Sequence, residues 1–234
     1  MIVAPVLLAT VAVVLALSVR VLVRFASAAD LFDLAASIER GGESPDTDYL
    51  ADFAKRNGVD RASEDCGDAF TRSRVTVSLA MVEAAAETAA AEAARQIALR
   101  SIEERLRCDP LDGNAWLRYA IMESRGEGRR LARVLDDLSM SYKTAPSEGW
   151  IVEPRLAFAT ELVLSGVAAF EMDYLDDLKR FAAFEPGNRV ADAFVETSRP
   201  VRARLRAIID KLPDERKRWI IAQIDALGVD YWEQ

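Results

Sequence analysis

Carboxylates gather in this chain at Asp136-Asp137 and at Asp173 with Asp176-Asp177. Two carboxylates that share a proton or close on a cation are the raw material of acid–base chemistry and of hard-metal sites. Neighbours on a helix, however, point about 100° apart, so neither doublet makes a two-carboxylate site by itself. Asp173 and Asp177 do share a face at i, i+4, yet Arg180 stands three residues beyond Asp177 and makes that face a solvated ion-pair surface. The 234 residues include no histidine. That removes the commonest general base, the commonest metal ligand and every Ser-His or Cys-His nucleophile. No catalytic, cofactor-binding or metal-ligating residue is expected, and no cofactor.

Two other groups have chemistry to offer. Arg199, Arg202 and Arg206 fall at i, i+3, i+7 and make a basic stripe suited to a protein partner's acidic helix, an acidic lipid head or another anionic ligand. Asp210, four residues after Arg206, can neutralise one end of it. Cys66 and Cys108 flank a long helical stretch. If that stretch folds as a hairpin turning near Ala89–Ala91, both thiols reach the same end and a disulfide becomes possible; otherwise they are two separate, partly buried thiols. Gly126 and Gly128 in "RGEGRR" resemble a phosphate loop only superficially, since no strand precedes them and no Gly-Lys-Ser/Thr follows. They read as turn glycines.

The elements that must position these groups are helical. Ala, Leu, Arg, Glu and Asp are plentiful while Gly and Pro are few, an all-α composition. The formal net charge of −8 argues against nucleic acid as a partner, because neutralising phosphates takes a basic footprint. Apolar spacing at three and four residues predicts short helices ending at Gly41-Gly42 and Gly58, then a nearly unbroken series with corners at Pro110, Pro146 and Pro186. In the corner "CDPLDGNAW", Pro110 stops one helix and Gly113-Asn114 offers the cap of the next.

The first residues read differently. Ile2 to Val19 is eighteen residues without a charge, near the roughly 20 that a spanning helix needs. Residues 1–25 therefore predict an uncleaved single-span anchor, with a signal peptide cleaved after "ASA" at Ala26–Ala28 as the alternative. Arg20 and Arg24 would favour a cytoplasmic body, whereas a Cys66–Cys108 bond would favour an oxidising compartment. The remaining divisions are short helices and a connector over 26–64, a repeat-like helical body over 65–228 and a tail over 229–234.

Trp116 and Trp150 stand thirty-four residues apart. Helix pairs with a proline closing the second helix resemble tetratricopeptide repeats, whose period is about 34 residues. With Trp116 as the leading aromatic, Ala120 takes the small-residue position, and Val134, Leu138, Ser141 and Pro146 take those of the second helix. Ala98, Ile102 and Pro110 fit a preceding unit and Trp150, Leu178 and Pro186 a following one. Arg105, Tyr174 and Phe181 depart from the pattern. The chain as a whole is also similar to small single-span proteins encoded among bacterial surface-polysaccharide genes. That likeness implies a bacterial inner-membrane location with a periplasmic body.

The resulting expectation is an all-α protein: an N-terminal transmembrane helix, then antiparallel helix pairs stacked as degenerate repeats. It would be a non-enzymatic scaffold that docks a protein partner of the cell envelope. An accessory binder or carboxylate enzyme acting on anionic polysaccharide is the alternative, and a plain helical bundle is the third reading. Trp116, Trp150 and Trp219 are expected to wedge between helices, and Tyr231 and Trp232 to fold back onto the body.

Overall fold

The computed structural model describes residues 3–41, 45–85, 89–126, 130–167, 169 and 171–232, and no strand occurs among them. The helices are α1 (Val3–Ser27), α2 (Ala29–Glu39), α3 (Thr47–Arg56), α4 (Asp68–Ala85), α5 (Ala91–Cys108) and α6 (Gly113–Ser124). They continue with α7 (Leu131–Thr144), α8 (Gly149–Leu164), α9 (Glu171–Phe184), α10 (Gly187–Glu196), α11 (Arg199–Ile209) and α12 (Asp214–Ala226). The all-α class is what the structure shows.

Local chemistry sets several boundaries. Asp46 caps α3 by accepting from the Tyr49 amide at 2.8 Å. Beyond α3, Gly58 takes φ +66°, a left-handed conformation that side-chain-bearing residues rarely adopt. In the "CDPLDGNAW" corner the cap is Asp112, whose carboxylate accepts from the Ala115 amide at 2.9 Å, and not Asn114. Gly113 is needed for space. A Cβ there would overlap the Ala145 side chain and stand 3.1 Å from the Ala145 amide nitrogen, so α6 starts hard against the end of α7. Gly42 and Gly128, expected at turns, lie outside the described residues.

The chain divides into two compact units, 1–110 with 122–129, and 111–121 with 130–234. Residues 65–228, read from the sequence as one repeat-like body, fall in both. In the first unit α4 and α5 form the main hairpin and α2 and α3 pack on α4. Its core includes Leu31, Leu50, Phe53, Val77, Ala98 and Ile102. In the second unit α9 packs against α8, α10 and α11, and α10 against α12. One apolar cluster runs through it, from Leu117 and Leu138 by way of Ile151, Leu178 and Phe194 to Tyr231.

Two expectations are corrected here. Among the described residues no helix is long and apolar enough to cross a membrane, so the transmembrane anchor over 1–25 is not supported. Residues 3–27 are helical, but Arg20 and Arg24 end the uncharged run at Val19. At 1.5 Å per residue that run reaches about 27 Å, short of a hydrocarbon core of about 30 Å. Met1 and Ile2 lie outside the described residues. The single-pass inner-membrane location, with the body on its periplasmic or cytoplasmic side, and the membrane contact through this helix lose their basis with it.

Nor does a tetratricopeptide-like repeat appear among the described residues. Ala98, Ile102, Ala120, Val134, Leu138, Ser141 and Leu178 are buried, as helix packing requires. Trp116 is half-buried, and the corner prolines Pro110, Pro146 and Pro186 are exposed. But Trp150, which ought to wedge between helices, is 65% exposed, while the bulky Tyr174 fills a position where a repeat wants a small side chain. The third would-be unit is instead organised around a buried ion pair, Arg155–Asp177.

Candidate functional site

Four helices of the second unit each turn a stripe towards one space. On α9, Tyr174, Leu178 and Phe181 recur at i, i+4, i+7 and make an apolar floor. On α8, Glu153, Leu156, Ala157 and Thr160 follow i, i+3, i+4, i+7, and on α10 Arg189, Asp192, Ala193 and Glu196 do the same. Val201 and Leu205 of α11 complete the lining of a cavity of about 520 Å³. The small side chains of Ala157 and Ala193 leave the space between the walls open, and the charged Glu153, Arg189, Asp192 and Glu196 stand exposed. At the base the Thr160 hydroxyl donates to Tyr174 Oη at 3.2 Å. The volume lies within the roughly 300–1,000 Å³ of ligand pockets, and the apolar lining with a few convergent polar groups is their usual character.

The walls are held by charge-assisted bonds. Arg155, fully buried on α8, donates through Nε to Asp177 Oδ2 at 2.7 Å and through Nη2 to Oδ1 at 2.9 Å, joining α8 to α9. Its Nη1 donates to the carbonyls of Ser141 and Ala145 at 3.1 and 2.9 Å, closing the end of α7. Its guanidinium lies 4.2 Å from the Tyr142 ring centre. Burial pushes the Asp177 carboxyl up, while the Arg155 fork and Arg180, at 3.6 Å, pull it down. Arg189 reaches from α10 to Glu153 at 3.0 Å and to Glu185 at 3.7 Å.

No protein-family model, curated protein or solved structure matches this chain.

Cys66 and Cys108 form a disulfide with their Cα atoms 5.3 Å apart. Beside it the loop from Gly58 to Gly67 is clasped by arginines. Buried Arg74 donates to Gly58 O at 2.7 Å and pairs with Glu104 at 3.1 Å, and Glu104 in turn accepts from the Ser63 amide at 2.8 Å. Arg100 and Arg107 donate to the carbonyls of Asp60 and Ser63, each at 2.6 Å.

The basic stripe is not brought together as an anion surface. Arg202 donates to the carbonyls of Phe194 and Val195 at 2.9 and 2.8 Å, closing the end of α10. Arg206 lies over the Phe194 and Tyr231 rings at 5.7 and 5.2 Å. Only Arg199 stands exposed. Asp177 is not the solvated partner of Arg180 that the spacing predicts, because Arg155 has drawn it into the core; Asp173 and Asp176 remain exposed, as does Asp136. Asp137 is buried. A Cβ on Gly126 would stand 2.7 Å from Arg95 Cζ, so the glycine leaves room for that guanidinium. Tyr231 is buried against Phe194, with ring centres 5.4 Å apart, while Trp232 stays 66% exposed. Trp219 does not wedge into the core either; it lies against Gly187 on α10 and remains partly exposed.

Burial also pushes the hydroxyls of Tyr142, Tyr174 and Tyr231 up. A folded pKa above the unfolded value of about 10 gives stability that is whole below pH ~10 and is lost as pH rises through the folded value. Tyrosinate absorbance from these residues should therefore appear together with loss of helical circular dichroism, above pH ~10. Tyr142→Phe should move that loss to higher pH. Ionisation of all three well before any helix melts would contradict the burial argument.

Proposed function

We propose that this protein is a non-catalytic helical scaffold that docks a segment of a protein partner in the α8–α11 groove of its second unit. The observation that carries the reading is the groove itself, a cavity of about 520 Å³ with an apolar floor, its α8 and α9 walls joined by the buried Arg155–Asp177 pair. Grooves between packed helices receive apolar side chains from a helical or extended segment of another protein. The first unit, stapled by Cys66–Cys108 and clasped by Arg74, supplies a rigid body. Such a bond endures where thiols are kept oxidised, which suits a scaffold of the cell envelope.

The test is selection of displayed random peptides against the full chain, followed by affinity measurement on wild type and on Ala157→Trp, which fills the groove from an exposed wall position. Selected peptides should bind the wild type and lose at least about tenfold in affinity on the variant. Peptides that bind both alike would overturn the reading. So would hydrolysis of an anionic polysaccharide by the purified protein, if replacement of Glu153, Asp192 or Glu196 abolished it. An anionic polymer is the poorer fit, because three carboxylates and one already paired arginine stand at the mouth.

A further inference from the structure

The charges at the groove mouth are unevenly matched. At one end Arg189 lies between Glu153 and Glu185, at 3.0 and 3.7 Å. Further along the same face of α10, Asp192 and Glu196 line the cavity and stand exposed. Among the described residues neither has an ion-pair partner. They are four residues apart, so the two carboxylates face the same way and repel one another until a cation comes between them. Two arginines of α11 are engaged elsewhere. Arg202 is engaged with the carbonyls that end α10, and Arg204 pairs with Glu171 at 3.2 Å. The same cavity has an apolar floor, with Leu178 and Phe181 from α9.

We infer that the groove takes a cationic amphipathic segment of a partner protein: apolar side chains on the α9 floor, and a lysine or arginine on the α10 edge between Asp192 and Glu196. This rests on the docking reading above. The apolar floor supplies contact area and the α10 edge supplies direction. A segment inserted the wrong way round would leave its cation beside Arg189 and the two carboxylates bare. Charge complementarity of this kind governs partner choice and encounter rate, and it weakens with salt.

The experiment measures binding of three labelled peptides of equal length to the full chain by fluorescence anisotropy: an amphipathic Leu/Lys peptide, its Leu/Glu counterpart and a Ser/Lys peptide without the apolar face. Leu/Lys should bind at least about tenfold more tightly than either of the others. Its affinity should fall by roughly five- to tenfold in Asp192→Asn/Glu196→Gln and with added salt. It should not change in Asp214→Asn/Glu215→Gln, a control for the chain's overall acidity at exposed positions of α12. Equal binding of Leu/Glu and Leu/Lys, both abolished by Ala157→Trp, would overturn the charge assignment and leave the docking reading standing. Equal binding of Ser/Lys would overturn the apolar half. Leu/Lys binding indifferent to Ala157→Trp, or no binding by any peptide, would overturn both.

Discussion

Replacing Arg155 with alanine should lower the unfolding free energy by about 3–5 kcal/mol, because it strands a buried carboxylate. Asp177 is fully buried and takes both of its charge-assisted hydrogen bonds from Arg155, at 2.7 and 2.9 Å, with the half-buried Arg180, at 3.6 Å, as its other countercharge. The same side chain closes the carbonyls of Ser141 and Ala145. Its loss would open α7, α8 and α9 at once. Urea unfolding followed by tryptophan fluorescence is the suitable measurement, since Trp116, Trp150, Trp219 and Trp232 all belong to the second unit. Arg155→Met with Asp177→Leu removes both charges and should recover a good part of the loss. It should not recover all of it, since the Ala145 carbonyl stays without its donor, at about 1–3 kcal/mol for a buried group left unsatisfied, while the Ser141 carbonyl keeps the Ala145 amide at 3.0 Å. A single-variant effect under about 1 kcal/mol would show that water reaches this pair, and the account of the groove walls would fall.

The disulfide carries the second large effect. Cys66 and Cys108 are 42 residues apart in sequence, and a covalent loop of that length restricts the unfolded chain by about 4 kcal/mol in the chain-entropy account. Cys66→Ser/Cys108→Ser should therefore unfold at markedly lower denaturant, read by helical circular dichroism. Without denaturant its spectrum should remain native. The Gly58–Gly67 loop keeps Arg74, Arg100 and Arg107 on its carbonyls whether or not the sulfurs are joined. Glu104→Ala in the disulfide-free background should then undo the clasp, because it leaves Arg74 buried with its countercharge gone. Collapse of helical signal on reduction alone would mean that the bond, and not the arginines, holds the loop.

What could be read beforehand follows from which signals are local. Helix existence came through clearly, since the three- and four-residue apolar spacing and the Gly and Pro stops act over a single turn. The membrane segment misled because its uncharged run lies only a few residues under the spanning length. The repeat misled because Trp116 and Trp150 share a spacing without sharing a role, the one half-buried and the other exposed. The groove was hidden for another reason. Its stripes on α8, α9, α10 and α11 are each ordinary amphipathic faces, and only their convergence makes a cavity. One hint was visible. Arg155 sits in "WIVEPRLAFA", an arginine with apolar residues on nearly every side, and a cation so placed on a buried helix needs a carboxylate from elsewhere. Asp177 had a nearer suitor in Arg180, and the spacing rule favoured the local pair over the distant one.

Three helix ends of the second unit are closed by guanidinium: Arg155 for α7, Arg216 for α9 and Arg202 for α10. Guanidinium keeps its proton at any acidity a living cell reaches, and the chain has no imidazole beside it. Acid would therefore reach the α8–α9 joint through the carboxylate half of its pair, Asp177, whose burial strengthens its hold on a proton, and not through an imidazole.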